Sequence, residues 1–369
     1  MSGIYIHIPF CHSKCYYCDF FSTPNASYLA QYVDALHREY EVRKSEIQLP
    51  PNTIYIGGGT PSILPIEHLQ RIIDFLPLEA VEEFTIEVNP EDVTEEFAKY
   101  IVESPINRVS MGIQTFNDSE LKSIGRRHSE LDVFVAIERL RVAGVSNLSL
   151  DLIFGLPDQT LSEWESNLDK VLSLNPEHLS TYSLMYEPGT RLWAMRESGK
   201  IKEVSDDIAE QMYALLCDKL CQSGYEHYEI SNFCKPGYYS RHNSAYWNLT
   251  PYLGIGVSAH SYDGNIRRFN PSNIKKYIDS SLPICIAEET SITERINEYL
   301  LIRLRTAKGI NLEQYKQIFG SDEYDRLLSR AQYHIHLGNL KHCSDILTIP
   351  SQHWLISDSI LVDLFADSN

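Results

Sequence analysis

The sequence predicts an α/β fold: a parallel sheet curled into a full or partial barrel, then a compact helical unit of winged-helix-like character. Three observations predict it. Six strand-like segments alternate with helix-like ones between residues 3 and 185, and β-then-α units in series make parallel sheets. Glycine- or proline-bearing turns close several of the strands. After about residue 290 the pattern changes to helices joined by short links. With 369 residues, 43% of them hydrophobic, the chain can bury one large core and a smaller one. The expected domains are residues 1–290 and 291–369.

The elements follow in order. Residues 3–9 alternate Ile4, Ile6 and Ile8 with Tyr5 and His7, the period of a strand. Residues 28–45 carry Leu29, Tyr32, Val33, Leu36 and Tyr40 at helical spacing. Residues 53–56 form a short strand ending in Gly57-Gly58-Gly59-Thr60-Pro61, and a helix spans 66–75. A strand over 83–88 is closed by Asn89-Pro90 and followed by a helix near 95–102. Residues 108–113 make the fourth strand and 131–143 its helix. Residues 148–154 run into Gly155-Leu156-Pro157, a helix covers 161–174, and 178–185 is the sixth strand. Residues 186–290 are rich in Tyr, Gly, Asn and His and weak in periodicity, and such stretches tend to carry function. Helices are expected at 294–305, 312–318 and 324–337, then apolar runs at 347–349 and 354–365.

Charge excludes one class of function. Lys and Arg number 32 and Asp and Glu 50, a net −18, so no general nucleic-acid binding by phosphate neutralisation is expected. No run of about 18 apolar residues is present, so no transmembrane helix is expected. The start, MSGIYIHIPFCHSKC, lacks the layout of a secretory signal, which implies a cytoplasmic location. There, eight cysteines act as thiols rather than as a disulfide framework.

Cys11, Cys15 and Cys18 form C-x3-C-x2-C directly after the first strand. A loop leaving a strand can aim three sulfurs at one centre. Zinc normally takes four ligands; a zinc site completed by His7 or His12 is the alternative. An iron–sulfur cluster suits an all-thiolate set better, and three ligands on four irons leave one iron open to a small molecule.

This triplet, with the aromatic Tyr17 before its third cysteine, resembles the radical S-adenosylmethionine (SAM) superfamily. The resemblance implies a partial (β/α)6 TIM-like barrel with a [4Fe–4S] cluster on Cys11, Cys15 and Cys18. Its open iron would chelate SAM, whose reductive cleavage yields a 5′-deoxyadenosyl radical. Later segments extend it: Gly57-Gly58-Gly59-Thr60-Pro61, Glu87 in Thr85-Ile86-Glu87-Val88-Asn89-Pro90, Gln114 after Ser110-Met111-Gly112-Ile113, Arg126 in Gly125-Arg126-Arg127-His128, and Asp151 in Leu150-Asp151-Leu152. These match the radical SAM family that includes oxygen-independent coproporphyrinogen oxidase and the heme chaperone HemW. By that resemblance Tyr5, Tyr17, Gly58, Gly59, Thr60, Glu87, Gln114, Arg126 and Asp151 would contact SAM. The residue types suit ribose hydroxyls, an ammonium and a carboxylate, and barrel enzymes place chemistry at the strand ends.

Three features favour the HemW branch over the oxidase, whose task would be oxidative decarboxylation of coproporphyrinogen III. The oxidase pattern runs C-x3-C-x2-C-x-C, and its fourth cysteine position is Phe20 in this chain. The oxidase has an N-terminal extension, and only ten residues precede Cys11. His242-Asn243-Ser244-Ala245-Tyr246-Trp247 and Ala259-His260-Ser261-Tyr262 resemble HemW signatures; Val257-Ser258 and Cys234 depart from the usual pattern. The resemblance implies His242 as a heme contact on an accessible loop and His260 as a weaker one. It also implies delivery of heme to membrane hemoproteins such as respiratory oxidases, and an electron donor for the cluster. Cys217 and Cys221 read as core thiols on one helix face, and His334, His336 and His342 show no metal-binding spacing.

Overall fold

The computed structural model describes residues 2–47, 49–282 and 284–366. Contacts divide the chain into two units, residues 1–212 with 240–288, and residues 213–239 with 289–369. Residues 213–239, which precede the boundary expected near 290, thus belong with the second unit.

In the first unit six strands pair in chain order and all in parallel: β1 (Gly3–Ile8), β2 (Thr53–Gly58), β3 (Glu83–Val88), β4 (Arg108–Gln114), β5 (Leu148–Phe154) and β6 (His178–Ser183). Between them run α1 (Leu29–Arg43), α2 (Ile66–Asp74), α3 (Glu95–Glu103), α4 (Asp118–Ser123), α5 (Glu130–Ala143) and α6 (Leu161–Ser173). β6 does not pair with β1, so the barrel is a partial one, as the family resemblance implies.

Alternation sorts the side chains. Ile4, Ile6, Ile8, Ile54, Ile56, Phe84, Ile86, Leu150 and Leu152 are fully buried on one face; Phe154 on that face meets Trp164 of α6 at a tilt of 41°, ring centroids 5.7 Å apart. The opposite face is polar, with Thr53, Thr85, Glu87, Arg108, Ser110, Asp151 and His178 at alternating positions. Helix limits follow local chemistry. Ser129 and Thr160 form capping boxes with Asp132 and Glu163, and Gly144 ends α5 in the left-handed region.

After β6 come α7 (Arg191–Glu197) and α8 (Asp206–Gln222). In the second unit β7 (Glu226–Glu229) and β8 (Asn232–Cys234) make an antiparallel pair. The chain returns to the first unit through α9 (Arg241–Trp247), and β9 (Tyr252–Ile255) joins the free edge of β1 in parallel. β10 (His260–Tyr262), β11 (Arg267–Phe269), α10 (Ile274–Asp279) and β12 (Ile286–Glu288) follow, the strands extending this edge antiparallel. These strands of three or four residues are too short to show a period in the sequence.

The rest of the second unit runs α11 (Ile292–Leu304), β13 (Ile310–Asn311), α12 (Leu312–Phe319), α13 (Ser321–Leu337), β14 (Lys341–Cys343), β15 (Ile346–Thr348) and α14 (Ser357–Leu364). The strands form one small antiparallel sheet. Helix, strand, two helices and a two-strand hairpin is the winged-helix order. Leu300, Tyr315, Leu327, Leu347, Trp354 and Leu364 fill its core.

Candidate functional site

The site is built at the C-terminal ends of β1 to β6. The segment after β1 is tied down by main-chain bonds. Thr23 N–H donates to the Pro9 carbonyl (2.7 Å) and Cys11 N–H to the Thr23 carbonyl (3.1 Å). Gly59 and Thr60 donate to the carbonyls of Ile8 and Phe10 at 2.7 and 2.8 Å, and Tyr16 donates to Ile124 at 2.9 Å. His7 holds the loop from within the sheet. Its Nε2 lies 3.1 Å from the Phe21 carbonyl; since a carbonyl only accepts, Nε2 carries the proton, and Nδ1 accepts from the Tyr5 hydroxyl at 3.0 Å. Burial holds the His7 imidazole down at about 4, so it stays neutral at ordinary pH.

Cys11, Cys15 and Cys18 line one open cavity of about 590 Å³, the size range of cofactor sites. Thr60 Oγ1 lies 3.5 Å from the Cys11 sulfur, and Arg126 Nη1 3.6 Å from that of Cys15. Burial pushes the Cys11 thiol up, and that of Cys18 to about 11. Thiols so desolvated need a bound cation to become thiolates. Among the described residues no three His, Cys, Asp or Glu side chains converge on a single-ion centre. The three thiols line the same cavity, and an all-thiolate set suits an iron–sulfur cluster. Two further observations fit. A β-carbon on Gly59 would stand 3.0 Å from the Cys11 sulfur, so the glycine leaves the thiol free on that side. The buried Nε of Arg126 has no partner, although its Nη2 donates to Asn89 Oδ1 (2.7 Å) and the Gly112 carbonyl (2.6 Å).

Around these thiols stand most of the residues expected at a SAM site. Gly58, Gly59, Thr60, Glu87, Gln114, Arg126, Asp151 and Tyr17 all line the cavity. Glu87 is fixed at both oxygens: Oε1 accepts from the Tyr55 hydroxyl (2.7 Å) and Oε2 from the Gly58 amide (2.9 Å). Asp151 accepts weakly from Ser110 at 3.3 Å. Burial pushes the Asp151 carboxyl up to about 7, the nearby Glu87 adding to the effect, and raises Glu87 too. Gln114 ends β4 at φ +63°, a left-handed conformation unusual for a non-glycine residue, at a break in the register with β5. Its amide fits because Gly112 has no side chain: a β-carbon there would meet Nε2 at 2.8 Å. Tyr17 packs on Ile124, Ile153 and Leu156, as does Leu184.

Three expected residues fall elsewhere. Tyr5 is not on the cavity wall; it supports His7 from below. His242, expected on an accessible loop, is corrected to a buried position in α9, 1% exposed. Its Nδ1 lies 2.9 Å from Thr53 Oγ1 and its Nε2 2.9 Å from the Tyr246 hydroxyl. Its amide donates to Glu83 at 2.8 Å. Thr53 and Glu83 begin β2 and β3, so His242 plugs the N-terminal floor of the barrel, opposite the thiols. Both ring nitrogens are engaged, and an iron could reach neither without displacing a hydroxyl. His260 is exposed in β10, stacked on Phe269 with ring centroids 5.6 Å apart, and is also off the cavity wall. One contributor went unread: Asn89 bridges Thr60 (3.2 Å) and Arg126, and its position between the β3 carboxylate and Pro90 was the available signal. His334 bonds Asp363 at 3.0 Å within the second unit.

Comparison with known proteins agrees with this geometry. Residues 5–171 match the family described as Radical SAM superfamily, whose members hold a [4Fe–4S] cluster and SAM. The heme chaperone HemW of Bacillus subtilis (strain 168) is 38% identical over 335 residues, 87% of each chain. That of Escherichia coli (strain K12) is 32% identical over 374 residues, 97% of each. The fold matches coproporphyrinogen III oxidase (HemN) from Escherichia coli with a TM-score of 0.84, covering 99% of this chain and 90% of that one at 24% identity. With cysteine spacing, strand-end residues and near full-length likeness in agreement, the chain belongs to the HemW family of radical SAM proteins.

Proposed function

We propose that this protein is a cytoplasmic heme chaperone: it binds heme, carries a [4Fe–4S] cluster and SAM, and passes heme to hemoproteins of the membrane. The supporting observation is likeness over 87% of both chains to proteins named heme chaperone HemW. In this reading Cys11, Cys15 and Cys18 hold the cluster. Gly58, Gly59 and Thr60 offer backbone at close approach to SAM, Arg126 holds a carboxylate, and Glu87, Gln114 and Asp151 take its hydroxyls and ammonium. When bound and reduced, the cluster supplies an electron able to cleave SAM. An external electron donor would deliver that electron. No helix among the described residues is long and apolar enough to cross a membrane.

The test is anaerobic heme titration of the cluster-loaded protein, with coproporphyrinogen III, SAM and reductant assayed in parallel. Stoichiometric heme binding without turnover of the porphyrinogen is expected. Turnover without heme binding would assign the chain to the oxidase chemistry instead.

A further inference from the structure

Heme presents two apolar faces, an iron that needs an axial donor, and two carboxylates on one edge. The histidines expected to serve do not offer the donor on the cavity side. His242 is enclosed with both nitrogens engaged, and His260 stands off the cavity wall.

The mouth of the cysteine cavity carries a different set. Phe20 is 65% exposed, Tyr182 43% and Met185 67%, and all three line the cavity that holds Cys11, Cys15 and Cys18. One exposed apolar side chain is unremarkable in a soluble protein, but three at the rim of one cavity make a patch that calls for a partner. The local structure explains their display. Leu184 N–H donates to the Phe154 carbonyl at 2.9 Å, which keeps the chain beside the end of β5, and the Leu184 side chain packs inward on the Tyr17 cluster. The next residue, Met185, is turned out to the rim. Phe20 follows Cys18 by two residues, so it rides on the same loop as the thiols. Lys14, Asp19 and Glu187 also line the cavity, so the rim carries charges of both signs.

We infer that heme docks on this rim, with a face against Phe20 and Tyr182 and the Met185 thioether as axial ligand to the iron. The inference rests on the heme-chaperone reading and names its site. A thioether is a soft donor that heme iron accepts. One thioether on an exposed side chain holds heme more loosely than a buried imidazole and leaves the second face of the iron open to a ligand of the acceptor. That is the arrangement a donor of heme needs.

The experiment titrates ferrous and ferric heme into cluster-loaded wild type, Met185→Leu, Met185→His and Phe20→Ala, and follows transfer to heme-free myoglobin. Met185→Leu keeps the volume and removes the sulfur. It is expected to weaken binding at least tenfold and to abolish thioether ligation in the magnetic circular dichroism spectrum. Phe20→Ala is expected to weaken binding several-fold with the ligation signature retained. Met185→His is expected to tighten binding and slow transfer. If wild type binds heme and Met185→Leu matches it in affinity and spectrum, the rim site is wrong and the chaperone reading stands. If wild type binds no heme, both fail. Far-ultraviolet dichroism and iron content of each variant separate loss of the site from loss of fold.

Discussion

Gly59 lies so close to Cys11 that a β-carbon on the glycine would stand 3.0 Å from the thiol sulfur, and 2.7 Å from the carbonyl oxygens of Ile8 and Phe10. Neither carbonyl can retreat, because one accepts from Gly59 itself and the other from Thr60. Gly59→Ala is therefore expected to displace the cysteine loop, at a cost of about 1–3 kcal/mol in overpacking. Iron and sulfide per chain after anaerobic reconstitution should fall by at least half. A variant that loads to the wild-type level would show that the loop moves freely.

Arg126 reaches Asn89, the Gly112 carbonyl and the Cys15 sulfur together. Arg126→Met keeps the stem and removes the donors. SAM affinity, measured by equilibrium dialysis on the cluster-loaded protein, should drop roughly tenfold or more, as expected for losing a charge-assisted bond worth about 1.5–3 kcal/mol. Unchanged affinity would leave Arg126 a purely structural residue.

Asp151 and His242 give opposite pH dependences. Burial raises Asp151 from 3.8 to about 7, so between those values the folded chain binds a proton that the unfolded chain lacks. That contribution is present below about 3.8 and is lost as pH rises through 7. Burial, with Arg108 assisting, lowers His242 from 6.5 to about 3. Over that window the unfolded chain binds the extra proton, and stability falls on acidification. Urea unfolding of the cluster-free protein at stepped pH should show both. Asp151→Asn removes the loss on going from pH 5 to 7. His242→Gln removes the loss on going from pH 6 to 4, with a slope difference approaching about 1.4 kcal/mol per unit. Parallel curves for either variant and wild type would contradict the burial that the fold imposes.

His7 tests the tether of the loop. Both ring nitrogens are spent, one on Phe21 and one on Tyr5. His7→Phe fills the same space without the bond to the Phe21 carbonyl. The cluster's absorbance in air should decay several-fold faster than in wild type, with secondary structure preserved. An equal decay rate would show that the main-chain bonds of Cys11, Tyr16 and Thr23 suffice.

The barrel was legible because β1 to β5 repeat apolar residues at period two, and β3 and β5 begin and end where that alternation does. The cavity residues were legible because they follow those strands at their C-terminal ends. What failed was depth along a strand. Tyr5 and His7 share one face of β1, yet Tyr5 lies one layer lower, and periodicity carries no height. His242 failed for a related reason: nothing in His242-Asn243-Ser244-Ala245-Tyr246-Trp247 says that α9 packs beneath β2 and β3 rather than beside the mouth. The left-handed turn at Gln114 was hidden because glutamine gives no hint of positive φ; the glycine at 112 was the only trace.

The pairing of β1 with β9 has a consequence for how the chain comes off the ribosome. β1 is made before β2 to β9, and one of its edges is covered only when residues 252–255 arrive. Until then Ile4, Ile6 and Ile8 belong to a strand with an open ladder of donors and acceptors, a template for joining another chain. The His242 plug arrives in the same late stretch and bonds to Thr53, 189 positions earlier. The barrel is thus finished by segments that follow the excursion through residues 213–239, and its completion is governed by non-local contacts that close slowly. A chain stopped before residue 240 would hold all three thiols and every strand-end carboxylate, yet lack both the edge and the floor of the barrel that supports them.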